Sequence, residues 1–166
     1  NVLGELDLHE CTGFCYGAGF EANLDVLNEI GKMLPVIGNK AEIVRGSKDP
    51  QLFSALCEVQ DMDYPQTVFK KPDVVDGWLM KTTGASGGMH VRPLTSESLE
   101  AENVYYQKFQ EGVPISCLFL ANGKRAKVIG YSVQWCSSTV DSPYRYGGAV
   151  SHAEVGESSK AIIEDF

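Results

Sequence analysis

The sequence of 166 residues predicts an α/β (α+β) fold, with helices in its first third and strands after residue 78. Apolar residues recur at helical spacing over residues 24–34, and Asp49-Pro50 has the residue types of an N-cap and a first helical position. Later, Asn122-Gly123 separates two apolar runs, which is the pattern of a β-hairpin. A chain of this length, 43% hydrophobic, can bury a core as one globular unit or as two small lobes.

The predicted elements follow in order along the chain. Acidic and glycine-rich sequence leads into the first helix, and together they are expected to form the last strand, loop and helix of an α/β layer that reaches residue 38. That helix has an apolar face formed by Leu24, Leu27, Ile30 and Leu34. The second helix ends before Tyr64-Pro65 and is predicted to be amphipathic, with an apolar face of Leu52, Phe53, Leu56 and Val59. Strands are then predicted over residues 105–109, 115–120 and 126–135.

Composition limits the partners and the setting. The net charge of -8 disfavours a nucleic-acid or membrane-surface partner, because an anionic surface would be repelled. The sequence contains no run of the roughly 20 apolar residues that span a bilayer, and no basic-then-apolar leader at its start. Five cysteines without framework spacing fit a reducing compartment, so a cytoplasmic location is expected.

The segment over residues 77–94 is the most informative part of the chain. Lys81 ends a short apolar run, and Gly84, Gly87 and Gly88 follow it before a second run begins. A strand, a glycine turn and a return strand can bring backbone N–H groups and one ammonium to a polyphosphate. The pattern is neither a Walker A loop nor G-x-G-x-x-G. A glycine-rich hairpin with an exposed lysine is the equally weighted alternative.

One Cys/His cluster, formed by His9, Cys11 and Cys15, has three potential zinc ligands close together in sequence. No second Cys/His pair follows at a suitable distance, and cysteine is among the most buried residue types. We therefore interpret these cysteines as structural and predict no metal site in the chain.

Four segments across residues 37–135 resemble, in the same order, segments of the ATP-grasp superfamily. They are Ile37-Gly-Asn-Lys-Ala-Glu-Ile-Val-Arg45 with Lys48-Asp49, Lys81 with Gly84-Ala-Ser-Gly-Gly88, Tyr105-Tyr-Gln-Lys-Phe-Gln-Glu-Gly112, and Ile115-Ser-Cys-Leu-Phe-Leu120. Gly17-Ala-Gly-Phe-Glu21 and Pro143-Tyr-Arg-Tyr-Gly-Gly148 have counterparts in small ATP-dependent carboligases of one-carbon cofactor pathways. The resemblance implies the end of an N-terminal α/β domain at residues 1–38, the A-lobe helical region at 39–76, and the B-lobe with its following segment at 77–166.

The resemblance also implies an ATP site. Lys81 would bind the α/β-phosphates, the mobile flap over residues 84–88 would cover the β/γ-phosphates, and the hinge over residues 107–110 would offer main-chain groups to adenine. The implied ATP-binding residues are Lys81, Gly84, Ser86, Gly87, Gly88, Gln107, Lys108, Phe109, Gln110 and Lys48. Lys48 is included because Pro50 stands where the family has a second phosphate lysine, although a solvated charge beside a helix start is the more favoured interpretation of Lys48. Gln107 stands where the family usually has an acidic residue.

The activity implied for the parent protein is ATP-dependent joining of a carboxylate to an amine or a thiol through an acyl-phosphate. Methanopterin- or methanofuran-type cofactor assembly is the implied setting, with a tyramine-glutamate ligase-like enzyme as one variant. Magnesium would accompany ATP, and its ligands, an acidic residue followed by Glu-x-Asn, are expected outside this chain. A non-catalytic nucleotide-binding or interaction domain is the alternative, and no residue is assigned a catalytic role.

Two further residues are substrate candidates. Arg145, between Tyr144 and Tyr146, could pair with a carboxylate or a phosphate, although stacking on a tyrosine in an aromatic loop is the more favoured interpretation. Glu111 follows the implied hinge and could contact ribose or face solvent. Self-association into a homo-oligomer is expected if an interlobe surface is left bare.

Overall fold

The structure, a computed structural model, describes residues 10–164 of the chain. Its contacts define two compact units. The first unit is Asn1–Ala85 with Leu94–Lys108, and the second is Ser86–Pro93 with Phe109–Phe166. The mixture of helices and antiparallel sheets confirms the predicted α+β class. The lobe boundaries that the family resemblance implies stay a prediction.

The first unit begins with helices. A 3₁₀ turn over Phe20–Ala22 precedes α1 (Leu24–Met33), α2 (Ala41–Lys48) and α3 (Pro50–Val59). The predicted first helix is confirmed, and α1 buries Leu27 and Ile30 as its spacing requires. The short and polar α2 was not predicted. It packs through Ala41 and Val44 against Leu27.

The predicted start of α3 is confirmed, but three of the four residues on its predicted apolar face are exposed. Asp49 Oδ1 accepts hydrogen bonds from the backbone N–H groups of Gln51 at 2.9 Å and Leu52 at 3.2 Å, and Pro50 occupies the first turn. The buried residues are instead Pro50 and Cys57, whereas Leu52, Leu56 and Val59 are exposed, Val59 by 79%. Apolar residues occur on more than one side of this helix, so its tertiary neighbours decide which side is buried.

Three antiparallel strands complete the first unit, and a short fourth strand, β3 (Arg92–Pro93), lies among the residues of the second unit. The chain forms β1 (Thr67–Val68), β2 (Trp78–Thr82), β3 (Arg92–Pro93) and β4 (Val104–Lys108), and β4 lies between β1 and β2. Because side chains alternate along a strand, one face of this sheet carries Trp78 and Tyr106, which form an apolar core with Leu94. The opposite face carries Leu79, Lys81, Tyr105 and Gln107.

The second unit is built on a three-stranded antiparallel sheet. It contains β5 (Ile115–Ala121), β6 (Ala126–Cys136) and β7 (Tyr146–Ser151), with β6 in the centre, followed by α4 (Glu157–Glu164). The predicted hairpin is confirmed. Asn122 Oδ1 accepts from the N–H groups of Lys124 and Arg125, both at 3.0 Å, and Gly123 has a φ of 83°.

The expected N-terminal strand and the expected absence of a membrane-spanning segment can be compared with residues 10–164. In the described part of the N-terminal segment, the expected strand is represented by an isolated parallel bridge between Phe14 and Val36. Across residues 10–164, no helix has the length and apolar character that crossing a membrane requires.

The N-cap of α3 provides a stability test. Asp49→Ala leaves the N–H groups of Gln51 and Leu52 without their side-chain acceptor, so the free energy of unfolding is expected to fall by about 1 kcal/mol. Asp49→Asn keeps an accepting oxygen and serves as the matched control. Urea denaturation followed by circular dichroism measures both variants. A midpoint unchanged in Asp49→Ala would contradict the assigned cap.

Candidate functional site

Lys81 lies on the face of the first sheet that also carries Tyr105 and Gln107, which we call the polar face. It lies on β2 opposite Tyr105 of β4, and its side chain is half-buried. Its Nζ donates a hydrogen bond of 2.7 Å to Gln107 Oε1 and lies 5.9 Å from the centroid of the Tyr105 ring. The ammonium is therefore held by one neutral acceptor and one aromatic face.

Gln107 fixes the position of that ammonium. Its side chain is 7% exposed, and its Nε2 donates to Thr67 Oγ1 at 3.0 Å on β1. The Thr67 hydroxyl in turn donates to the carbonyl oxygen of Pro65 at 2.8 Å. This chain of donors and acceptors determines which end of the amide faces Lys81. A carboxylate at position 107 would have no N–H to donate to Thr67.

The electrostatics follow from these contacts. Burial lowers the pKa of Lys81, because desolvation disfavours the ammonium. Gln107 carries no charge, so the hydrogen bond does not neutralise the lysine as a carboxylate would. The positive charge of Lys81 is therefore not neutralised by Gln107 and can attract an anionic ligand.

The implied hinge residues divide between the two units. Lys108 ends β4, where its N–H donates to Gln66 O at 2.9 Å and its Nζ lies 4.9 Å from the Trp78 ring centroid. That N–H is already used within the first unit. In the second unit, the ring of Phe109 lies 6.1 Å from that of Tyr144, and Gln110 and Glu111 are exposed.

The glycine turn over residues 84–88 has the backbone that its composition predicts. Gly84 in the first unit, and Gly87 and Gly88 in the second, have φ values of 75°, 73° and 72°. Ser86 is exposed. Gly87 O accepts a hydrogen bond of 2.8 Å from the N–H of Tyr146, and a Cβ on Gly88 would lie 1.9 Å from Tyr144 O. The second half of the turn is thus packed directly on Tyr144 and on the first residue of β7.

Lys48 lies at the C-terminal end of α2, half-exposed, where a cation also complements the helix dipole. Backbone hydrogen bonds, including one of 2.7 Å from the N–H of Gly19, lower the pKa of the Glu21 carboxyl, and the charge of Lys48 adds a smaller effect in the same direction. Lys48 therefore has an electrostatic partner within the first unit.

Arg145 is oriented by two hydrogen bonds to Ser137. Its Nε donates to Ser137 O and its Nη2 donates to Ser137 Oγ, both at 2.9 Å. The side chain is exposed, and Tyr146 is the first residue of β7. Tyr144 and Arg145 lie in the turn that precedes β7, and the hydrogen bonds of Arg145 to Ser137 hold the two ends of this turn together.

The proposed zinc ligands are only partly described. His9 lies outside the described residues, and within residues 10–164 no three His, Cys, Asp or Glu side chains are grouped as ligands for a metal ion. Cys11 and Cys15 are exposed, so the burial that is usual for cysteine does not apply to them, and their structural role stays a prediction. Among the described cysteines, Cys57 in α3 is buried.

Comparison with known proteins identifies the family. Residues 51–165 match the sequence profile of the ATP-grasp domain, and the chain belongs to the ATP-grasp superfamily, whose domains bind ATP with magnesium. The predicted membership is confirmed. Among solved structures, the fold is similar to that of an ATP-grasp superfamily protein from Archaeoglobus fulgidus, with a TM-score of 0.61 and 20% identity. The match covers 86% of this chain and 42% of that chain. No sequence among curated proteins matches significantly.

Sequence reasoning missed Thr67 and Tyr105. Strand alternation offers a signal for Tyr105, because it lies two residues from Gln107 and so shares a face with it. Thr67 could not be found in this way, because its position opposite Gln107 depends on the pairing of β1 with β4.

The glycine turn allows a matched substitution test. Gly87→Ala and Gly88→Ala impose the same left-handed backbone on alanine, which costs about 1–2 kcal/mol. Gly87 has open space around its Cβ position, whereas the Gly88 Cβ would collide with Tyr144 O. Gly88→Ala is therefore expected to destabilise by about 1–3 kcal/mol more than Gly87→Ala. Thermal denaturation measures the difference, and equal losses would contradict the packing of Gly88.

The pKa of Lys81 is expected to depend on residue 107. Gln107→Glu places a carboxylate at the ammonium and raises the pKa of Lys81, whereas Gln107→Leu removes the acceptor and leaves the pKa lowered. NMR titration of the lysine Cε resonances, assigned with Lys81→Arg, measures each value. A pKa of Lys81 that is the same in both variants would contradict the contact.

Gln107→Glu is also expected to change the stability of the protein at high pH. In the unmutated protein the folded-state pKa of Lys81 lies below the unfolded value of about 10.4. Between these two values the unfolded chain binds more protons, so the contribution of Lys81 to stability increases with pH. Gln107→Glu raises the folded-state pKa and should reduce this increase relative to the unmutated protein, in which Tyr105 and Tyr106 titrate as well.

Proposed function

We propose that this chain binds ATP as its magnesium complex and that Lys81 holds the phosphates. The observation that carries the proposal is the half-buried ammonium of Lys81, which is positioned by the neutral amide of Gln107. A partly desolvated ammonium attracts a polyphosphate more strongly than a fully hydrated one does. Release of the Gln107 hydrogen bond would leave Gln107 attached to Thr67, so Lys81 can exchange its acceptor for a phosphate oxygen.

The other implied contacts remain proposals of the family resemblance. They comprise Lys48, Lys108, Phe109 and Gln110, together with Gly84, Ser86, Gly87 and Gly88 of the glycine turn. Since the described residues contain no group of three ligating side chains, we assign no residue of this chain to magnesium and derive no step through it.

We propose ATP-dependent ligation as the activity of the whole protein, because members of this superfamily are typically ATP-dependent ligases. A carboxylate oxygen of the substrate attacks the γ-phosphorus, the bond to the β-bridging oxygen breaks, and ADP leaves. An amine or thiol then attacks the acyl carbon of the acyl-phosphate, inorganic phosphate departs, and the nucleophile loses its proton. Lys81 would contribute by positioning the phosphates and by stabilising their charge. Cofactor assembly in one-carbon metabolism is the proposed setting.

Titration calorimetry with Mg-ATP tests the nucleotide site. Lys81→Ala removes a hydrogen bond from a charged donor, so binding is expected to weaken about 10- to 100-fold. Lys124→Ala, in the exposed turn between β5 and β6, removes the same charge elsewhere and should bind like the unmutated chain.

The outcomes separate the alternatives. Equal weakening in both variants would mean a general charge effect and would contradict the assignment of Lys81. Binding that depends on Lys81, without ADP formation by the whole protein in the presence of carboxylate and amine substrates, would favour a nucleotide-binding domain over a ligase.

A further inference from the structure

A cavity of about 390 Å³ lies within the second unit, next to the glycine turn. Trp135, Tyr144 and Tyr146 form aromatic walls, and Gly87 and Gly88 line it as well. The volume is within the range of small-molecule clefts. Among the described residues that line this cavity none is charged, so a ligand portion that it accommodates is recognised by shape and by apolar contact.

Trp135 is held in place by two glycines on the neighbouring strand. The pairing of β6 with β7 shifts between Trp135, which faces Gly148, and Cys136, which faces Tyr146, so Gly147 is the extra residue of a β-bulge. A Cβ on Gly148 would lie 2.4 Å from the indole Cζ2, and one on Gly147 would lie 2.7 Å from Nε1. The indole therefore rests directly on the glycine backbone.

The indole is nevertheless 48% exposed. Contact with the glycines limits its rotation, and its remaining surface lines the cavity. A fixed and half-exposed indole is a platform for the face of another ring. The second aromatic wall is also supported, because the ring of Tyr144 packs against that of Phe109 and the carbonyl of Tyr144 abuts Gly88.

We propose that this cavity binds a planar aromatic ring of the non-nucleotide substrate, stacked on Trp135. The inference rests on the proposed function, since it assigns the cavity beside the glycine turn to a substrate of the same ATP-dependent reaction. The aromatic walls and the uncharged lining favour a flat ring over an aliphatic or ionic group. The ionic groups of the substrate lie outside the cavity.

Two uncharged probes of matched size test this preference. The dissociation constants of 2-phenylethanol and 2-cyclohexylethanol are measured by ligand-observed NMR, because the two differ in the planarity of the ring. The aromatic probe is expected to bind about five- to tenfold more tightly, as aromatic pairs exceed simple area burial. The indole N–H resonance of Trp135 should shift with this probe. Trp78→Phe assigns it, because the chain has two tryptophans.

Three variants locate the preference. Trp135→Leu should abolish the difference between the probes, and Phe119→Leu, which removes an exposed ring of β5 outside the cavity lining, should retain it. Gly148→Ala keeps the indole but displaces it from the glycine backbone, so it should reduce the difference in affinity between the two probes. Equal affinities for both probes, no binding of either probe, or a preference that survives in Trp135→Leu would overturn the proposal.

Mg-ATP calorimetry on the same samples distinguishes the two claims. Intact Mg-ATP binding with no ring preference overturns this inference alone. If the chain does not bind Mg-ATP but still prefers the aromatic probe, the proposed nucleotide function is overturned. The cavity is then a binding site for an aromatic ring without that function.

Discussion

The amide of Gln107 is the interaction on which the polar face of the first sheet depends. It is buried in the central strand β4 and connects to both neighbouring strands, through Thr67 on β1 and Lys81 on β2. A buried amide with one end unpaired would cost about 1–3 kcal/mol, so the two partners are needed together. The same hydrogen bonds that join the three strands also determine where the ammonium of Lys81 is held.

The second unit relies on a different constraint, which is the close approach of backbone to backbone and of backbone to ring. Gly88 permits the carbonyl of Tyr144 to approach, and Gly147 with Gly148 permits the indole of Trp135 to lie on β7. In each case a side chain would occupy the space. Glycine therefore makes these close contacts possible, and the indole of Trp135 still leaves about half of its surface available for a ligand.

The sequence predicted the features that depend on local chemistry. The start of α3 at Asp49-Pro50, the spacing of α1 and the turn at Asn122-Gly123 involve residues within a few positions of one another. Other features depend on residues that strand pairing and packing bring together. They are the buried side of α3, the contact of Lys81 with Gln107 and the packing of Trp135 on Gly147 and Gly148. The family resemblance pointed to Lys81 and Gln107 individually, but it could not indicate that they bind each other.

A crystal structure of the chain with magnesium and a non-hydrolysable ATP analogue would show whether Lys81 binds the phosphates. The measurement is the distance from Lys81 Nζ to the nearest phosphate oxygen. We expect a charge-assisted hydrogen bond of about 2.7–2.9 Å, with Gln107 still donating to Thr67. A bound nucleotide whose phosphates lie away from Lys81, with the ammonium still on Gln107, would contradict it.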